Sequence, residues 1–208
     1  ALPILATYEN NTDGEVLAIP HNSNISSGMM FAPYTMTGDP FNRDYAKTRN
    51  RWEPLLEVTQ IKGDSETHPE LSATDEFADY ERWRIERNAD TPLTEQQRRK
   101  MTYEYARSAL KLGLKLDAKL GVNPFKIGLI GSTDAHTSLS TAKENNFFGK
   151  MSHSEPHAQR MLESMTTLSP GIPQWKVSAS GRAAVWATEN TREALFAAMK
   201  RKEVYATT

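Results

Sequence analysis

The sequence predicts an α/β fold in which parallel strands are covered by helices. Three observations predict it. Short apolar runs alternate with longer segments of helical periodicity, the pattern of a parallel sheet with helices on its faces. Three of the apolar runs end in reactive polar residues, and strand ends are where α/β folds keep their sites. The 208 residues, 38% apolar and 25% charged, suit one α/β domain over 1–208 with a sizeable core.

The elements follow in order. "EVLAIP" (15–20) reads as a buried strand, followed by the polar loop "HNSNISSG". "PLLEVTQI" (54–61) is rich in Leu, Val, Ile and Thr and ends at Lys62-Gly63, so it is the second strand. Ser72 is placed to cap a helix on which Phe77, Tyr80 and Trp83 recur at helical spacing. A long helix is predicted from Thr94 to Leu120. Thr94 and Gln97 form a capping box, and Gly121 with Pro124 supplies the stop. Met101, Tyr105, Ala109 and Leu112 share a face, and Gly113 is expected to bend or weaken the helix. "KIGLIGSTDAH" carries the third strand and "RAAVWAT" the fourth, after a Pro/Gly-rich "SPGIPQW". Asn190 or Thr191 caps a last helix bearing Ala194, Leu195, Ala198 and Met199, and "VYA" begins a further strand. No internal repeat or low-complexity segment interrupts this order. Four or five strands fall short of a full (β/α) barrel, which takes roughly 250 residues. The abrupt "ALPIL" start and "VYATT" finish lead us to expect a piece of a longer protein, an incomplete barrel without its N-terminal strands.

Composition removes several functions. Twenty-five basic residues against 26 acidic ones predict no nucleic-acid partner and no anionic lipid surface. No apolar run is long enough for a membrane span, and no signal peptide is visible. Cytoplasm and periplasm both stay open. Without cysteine there is no disulfide, thiolate ligand or Cys nucleophile, so any metal must be held by His, Asp and Glu.

The chemistry-bearing residues gather at strand ends. "VLAIP" delivers His21 and Asn22. "LLEVTQI" carries Glu57 and Gln60 and leads to Lys62, with Asp64 and Glu66 beyond. "IGLIG" delivers Asp134 and His136. In extended backbone, residues i and i+2 point to one side, so Asp134 and His136 can meet one metal. Carboxylate with imidazole suits zinc, manganese or iron(II). The competing reading makes "DAH" a helix cap, with Asp134 accepting backbone N–H groups and His136 solvated. His21 is either a ligand or a loop histidine bonded to Asn22 or Asn24. Glu57 is costly to bury alone and is expected to meet a cation. Lys62 is suited to neutralise an anionic substrate or a developing oxyanion, or to join a salt-bridge network at the rim. Asn22, Glu57, Gln60 and Lys62 form the expected substrate-binding set. His68, before Pro69, is expected to be structural or exposed. His153 and His157 have helical ligand spacing, but Pro156 between them opposes a regular helix. "NNFFGK" is either a substrate loop or a hydrophobic turn.

Together, "AIPHNSN", "LLEVTQIKGDSETHP", "GSTDAHTS", "NNFFGK" and "TREALFAAMKRKEVYATT" resemble an uncharacterised bacterial family, a domain of unknown function. That family resembles the PHP (polymerase and histidinol phosphatase) metallohydrolases, and the closing segment is similar to their carbaryl-hydrolase-like branch. The resemblance implies a distorted (β/α)7 barrel with two or three divalent metals at its C-terminal mouth. It implies His21, Asp134 and His136 as metal ligands, the last two as the final Asp-x-His pair, and matches Glu57 to a strand acid. PHP proteins also carry an early His-x-His motif, and none occurs in these 208 residues. Completion of the site is therefore expected to need an N-terminal segment or a second chain.

The resulting expectation is a metal-dependent hydrolase of a small-molecule phosphoester, carboxyl ester or carbamate. A metal-activated water would attack, with Asp134 as ligand and general base and Lys62 stabilising negative charge. The alternative is a non-catalytic α/β fragment that binds a ligand or partner without metal.

Overall fold

The computed structural model describes residues 2–80, 93–136, 157–159, 162–163 and 181–207. The chain opens with helix α1 (Leu2–Asn11) and a single 3-10 turn at Ser23–Ile25. Helix α2 (Arg43–Trp52) follows, its Asn42 cap accepting the Tyr45 N–H at 2.8 Å. Its sequence is too polar to show helical patterning, yet Ala46, Arg49 and Trp52 line its buried face. The Arg49 guanidinium is satisfied in place. It donates to Glu53 at 2.5 Å and to the Met30 carbonyl at 3.0 Å, and lies over the Phe125 ring.

Strand β1 (Leu55–Gln60) is the second predicted strand. Its alternation sends Leu56 and Val58 into a core with Phe31, Phe41, Ala106, Ala109, Leu116 and Phe125. Ile61 and Lys62 make a two-residue turn into β2 (Gly63–Asp64), which pairs antiparallel with Gln60 and Thr59. Gly63 takes φ 90° there, a backbone state that favours glycine. Strand β3 (Gly128–Gly131) lies parallel to β1, with Leu55 opposite Gly128 and Glu57 opposite Ile130. A register irregularity between Glu57 and Thr59 sets Thr59 opposite Gly131. The sheet order is β2-β1-β3.

The predicted first strand does not form a ladder. Residues 15–20 run beside β1 on single bonds, Ala18 N–H to the Trp52 carbonyl at 2.6 Å and Glu57 N–H to the Pro20 carbonyl at 3.0 Å. Pro20 has no N–H with which to extend the pairing. The helix predicted from Ser72 is absent over 72–80, which are mostly turns with Phe77 and Tyr80 exposed, while Trp83 lies outside the described residues.

The long predicted helix is two. Helix α3 (Glu95–Met101) begins at the predicted Thr94–Gln97 capping box, and α4 (Ala106–Leu120) ends at left-handed Gly121. Between them the buried Glu104 accepts the Gly28 N–H at 2.7 Å, a tertiary contact that competes with helix continuity. Gly113 does not interrupt α4. It seats the following loop instead, since a Cβ there would lie 2.3 Å from Asn123 Oδ1. Asn123 Oδ1 in turn accepts the Phe125 N–H at 2.8 Å.

Strand β4 (Arg182–Val185), helix α5 (Arg192–Arg201) and strand β5 (Val204–Thr207) complete the described chain. Thr191 is the cap of α5, accepting the Ala194 N–H at 3.3 Å. Contrary to a wholly parallel arrangement, β4 and β5 pair antiparallel. Left-handed Lys202 turns the chain straight out of α5, and the Trp186 N–H to Glu203 carbonyl bond at 2.8 Å draws it back along β4. This antiparallel pair packs tightly on β3: a Cβ on Gly131 would come within 2.8 Å of the Thr207 carbonyl and 2.9 Å of the Arg182 nitrogen. Among the described residues the three-stranded and two-stranded sheets do not close a barrel. No described helix is long and apolar enough to cross a membrane.

Candidate metal centre

Because β1 and β3 are parallel, their C-terminal ends lie side by side, and Lys62 and Asp134 meet there. The Lys62 ammonium donates to Asp134 Oδ2, with both side chains largely buried. Asp134 Oδ1 stands 3.2 Å from His136 Nε2, and the His136 ring is about half exposed. Extended alternation is not what brings these two side chains together. Asp134 has φ 48°, a left-handed bend that turns the chain between them. Its N–H donates to Ser132 Oγ at 3.3 Å.

A second group joins the 22–24 turn to the β1–β2 hairpin. Gln60 Nε2 donates to Asn22 Oδ1, and Gln60 Oε1 accepts the Lys62 N–H at 2.8 Å. Gln60 is buried and its amide is bonded at both ends, so it braces Asn22 and the Lys62 backbone. Asn24 Nδ2 donates to the Lys62 carbonyl at 3.0 Å, and Ser65 Oγ donates to Asn24 Oδ1 at 3.0 Å. Lys62 is thus held by its N–H, carbonyl and ammonium. Asn22 itself is left-handed at φ 57°. His21 is exposed beside it.

Glu57 meets no cation among the described residues. Ser132 Oγ donates to its Oε2, while its buried Oε1 has no partner among the described residues. The position of Ser132 between two acids is visible only once β1 and β3 are paired. Asp64 is also informative. Burial pushes its carboxyl up to about 6, against the Glu66 and Thr67 N–H groups that favour the anion. Arg107 bridges Glu66 and Asp75 nearby, at 2.7 Å and 2.5 Å. His68 is buried, accepting the Glu70 N–H at Nδ1 and tilted against Tyr105. Its place is structural. His157 lies 3.5 Å from Glu163, while His153, Pro156 and "NNFFGK" fall outside the described residues.

The Asp134–His136 pair can be tested against a metal by donor geometry. Two donors about 2.0–2.1 Å from a tetrahedral zinc stand roughly 3.3 Å apart. The observed 3.2 Å between Oδ1 and Nε2 is a hydrogen-bond distance that also matches one edge of such a site, and a metal there would take the place of the shared proton. Among the described residues, no group of three His, Asp or Glu side chains is arranged to hold a metal ion.

Over residues 2–208 the sequence matches the family described as "Protein of unknown function (DUF3604)". The chain belongs to that family. No curated protein and no solved structure matches this DUF3604 chain. The uncharacterised family expected from the motifs is thereby established across nearly the whole DUF3604 sequence.

Proposed function

We propose that this chain supplies the β1–β3 side of a metal-dependent hydrolase site of the PHP type, within a distorted (β/α)7 barrel. The observation that carries the reading is the juxtaposition of Asp134, His136 and Lys62 at the ends of two parallel strands. Asp134 Oδ1 and His136 Nε2 would hold a divalent zinc, manganese or iron ion. His21, on the neighbouring turn, and donors beyond this chain would complete a set of two or three metals. A bound metal supplies an acidic water able to ionise near neutral pH.

The chain's own residues do the rest. Lys62 Nζ offers positive charge to a phosphoester, carboxyl ester or carbamate oxygen. Asp134 Oδ2 accepts a proton when Lys62 turns to the substrate. Asn22, braced by Gln60, presents its amide to the substrate. Glu57 and Ser132 support the Asp134 loop.

The Lys62–Asp134 pair also favours a competing reading, a non-catalytic α/β module. An ammonium already neutralises the carboxylate there, as in an ordinary structural ion pair.

Metal analysis of the purified full-length protein separates the two. The hydrolase reading expects bound zinc, manganese or iron, and a metal affinity cut at least about tenfold by Asp134→Ala and by His136→Ala. It also expects loss of hydrolysis of nitrophenyl phosphate or nitrophenyl esters in both variants. A protein without metal, whose melting ignores added zinc and manganese, is the non-catalytic module.

A further inference from the structure

We infer that Ser132 is a positioning residue that ties the acid of β1 to the acid of the β3 loop and so sets the metal site; the inference rests on the metal-hydrolase reading. Ser132 touches both acids at once. Its hydroxyl donates to Glu57 Oε2 and accepts the Asp134 N–H at 3.3 Å. The serine hydroxyl donates and accepts through one atom at a short reach from the backbone.

Its backbone is fixed independently. The Ser132 N–H donates to the Thr59 carbonyl at 2.9 Å. Gly181 crosses so closely that a Cβ there would lie 2.9 Å from the Ser132 nitrogen and 2.8 Å from the Thr59 carbonyl. Ser132 is thus anchored to β1 and held under the chain entering β4.

Two consequences follow for the site. The bond to Asp134 N–H supports a left-handed bend that few residues other than glycine adopt, and that bend carries Oδ1 to His136. The bond to Oε2 selects one oxygen of Glu57, leaving the buried Oε1 as the open acceptor. Removing the hydroxyl would free both acids together, although Ser132 itself need never touch a metal.

The test measures manganese(II) affinity and the visible spectrum of the cobalt(II)-substituted full-length protein for wild type, Ser132→Ala, Ser132→Thr and Asp134→Ala, all at a temperature where circular dichroism shows them folded. Ser132→Ala is expected to weaken manganese binding about 10- to 100-fold, the range for residues that orient ligands, and to change the cobalt bands. Ser132→Thr, which keeps the hydroxyl, is expected to restore both. If Ser132→Ala fails to fold, Ser132→Gly, which also lacks the hydroxyl and adds no metal ligand, replaces it under the same criteria. Wild-type affinity and an unchanged cobalt spectrum in the hydroxyl-free variant overturn the inference, as does failure of threonine to rescue. A wild type that binds neither metal overturns the hydrolase reading as well. If Asp134→Ala abolishes binding and loss of the hydroxyl does not, only the role of Ser132 falls.

Discussion

Lys62 and Asp134, 72 positions apart in sequence, form an ion pair across the ends of two parallel strands. Each side chain keeps little exposure, 13% and 12%. Removing one partner of such a pair leaves the other charge partly desolvated, at a cost of about 3 kcal/mol.

Lys62→Met and Asp134→Asn are therefore each expected to destabilise the protein by about that amount, and the double substitution by much less than the sum. Asparagine is chosen because it tolerates the left-handed backbone at this position. Urea unfolding of the four proteins measures the coupling. A coupling within about 0.5 kcal/mol of zero, the spread of independent sites, would break the pair as a structural unit.

Asp64 predicts a pH dependence of opposite sign to the usual acid denaturation. Its folded carboxyl titrates at about 6 against 3.8 as the ordinary value, because burial disfavours its charge. The folded state then binds the proton more tightly than the unfolded chain. The contribution is fully present below about pH 4 and is lost as pH rises through about 6. Its upper bound is on the order of 3 kcal/mol. Asp64→Asn is expected to stabilise the protein at pH 8 and to leave it unchanged or weaker at pH 4. Urea titrations at the two pH values check this, and equal effects at both would remove Asp64 as the origin.

Gly113 contradicts helix propensity in a useful way. Glycine to alanine in an exposed helix interior ordinarily gains about 1 kcal/mol. Here the added methyl would meet Asn123 Oδ1 and displace the acceptor of the Phe125 N–H. Gly113→Ala is expected to lose about 1–3 kcal/mol. The same change in an Asn123→Ala background should cost less. Thermal melting of the two pairs decides it, and a stabilised Gly113→Ala protein would refute the packing account.

The cap of α3 is a smaller test. Thr94→Ala is expected to cost about 1 kcal/mol, since its hydroxyl accepts the Gln97 N–H and Gln97 reciprocates. Loss of helical ellipticity together with a lower urea midpoint would be the signature; no change in either would place this helix end outside the cooperative unit.

The parts of the fold that were legible in the sequence are those set by local chemistry. The β1 and β3 runs, the Thr94 and Thr191 caps and the Gly121 stop needed only neighbours along the chain. The parts that were not legible are set by distant ones. The split of the long helix depends on Glu104 meeting Gly28, and α2 depends on Arg49 finding Glu53, Met30 and Phe125. The antiparallel turn of β5 depends on Lys202 leaving α5 left-handed. At the site, convergence of strand ends named Lys62, Asp134 and His136 as neighbours. A salt-bridge network for Lys62 was one of its readings, but it did not reveal that Asp134 would be the partner, that Gln60 would brace Asn22, or that a serine would join Glu57 to Asp134. The register irregularity beside Glu57 and the left-handed bend at Asp134 leave no periodic trace.

Gly131 and Gly181 carry a consequence for how such chains can diverge. The atoms that a methyl group would strike at these positions are largely backbone, including the Thr207 and Thr59 carbonyls and the Arg182 and Ser132 nitrogens. Backbone cannot swing aside as a side chain can. Any residue larger than glycine at either position would lever β4 and β5 away from the strand that presents Asp134. Two positions without side chains hold β4 and β5 against the edge that carries Lys62, Ser132 and Asp134.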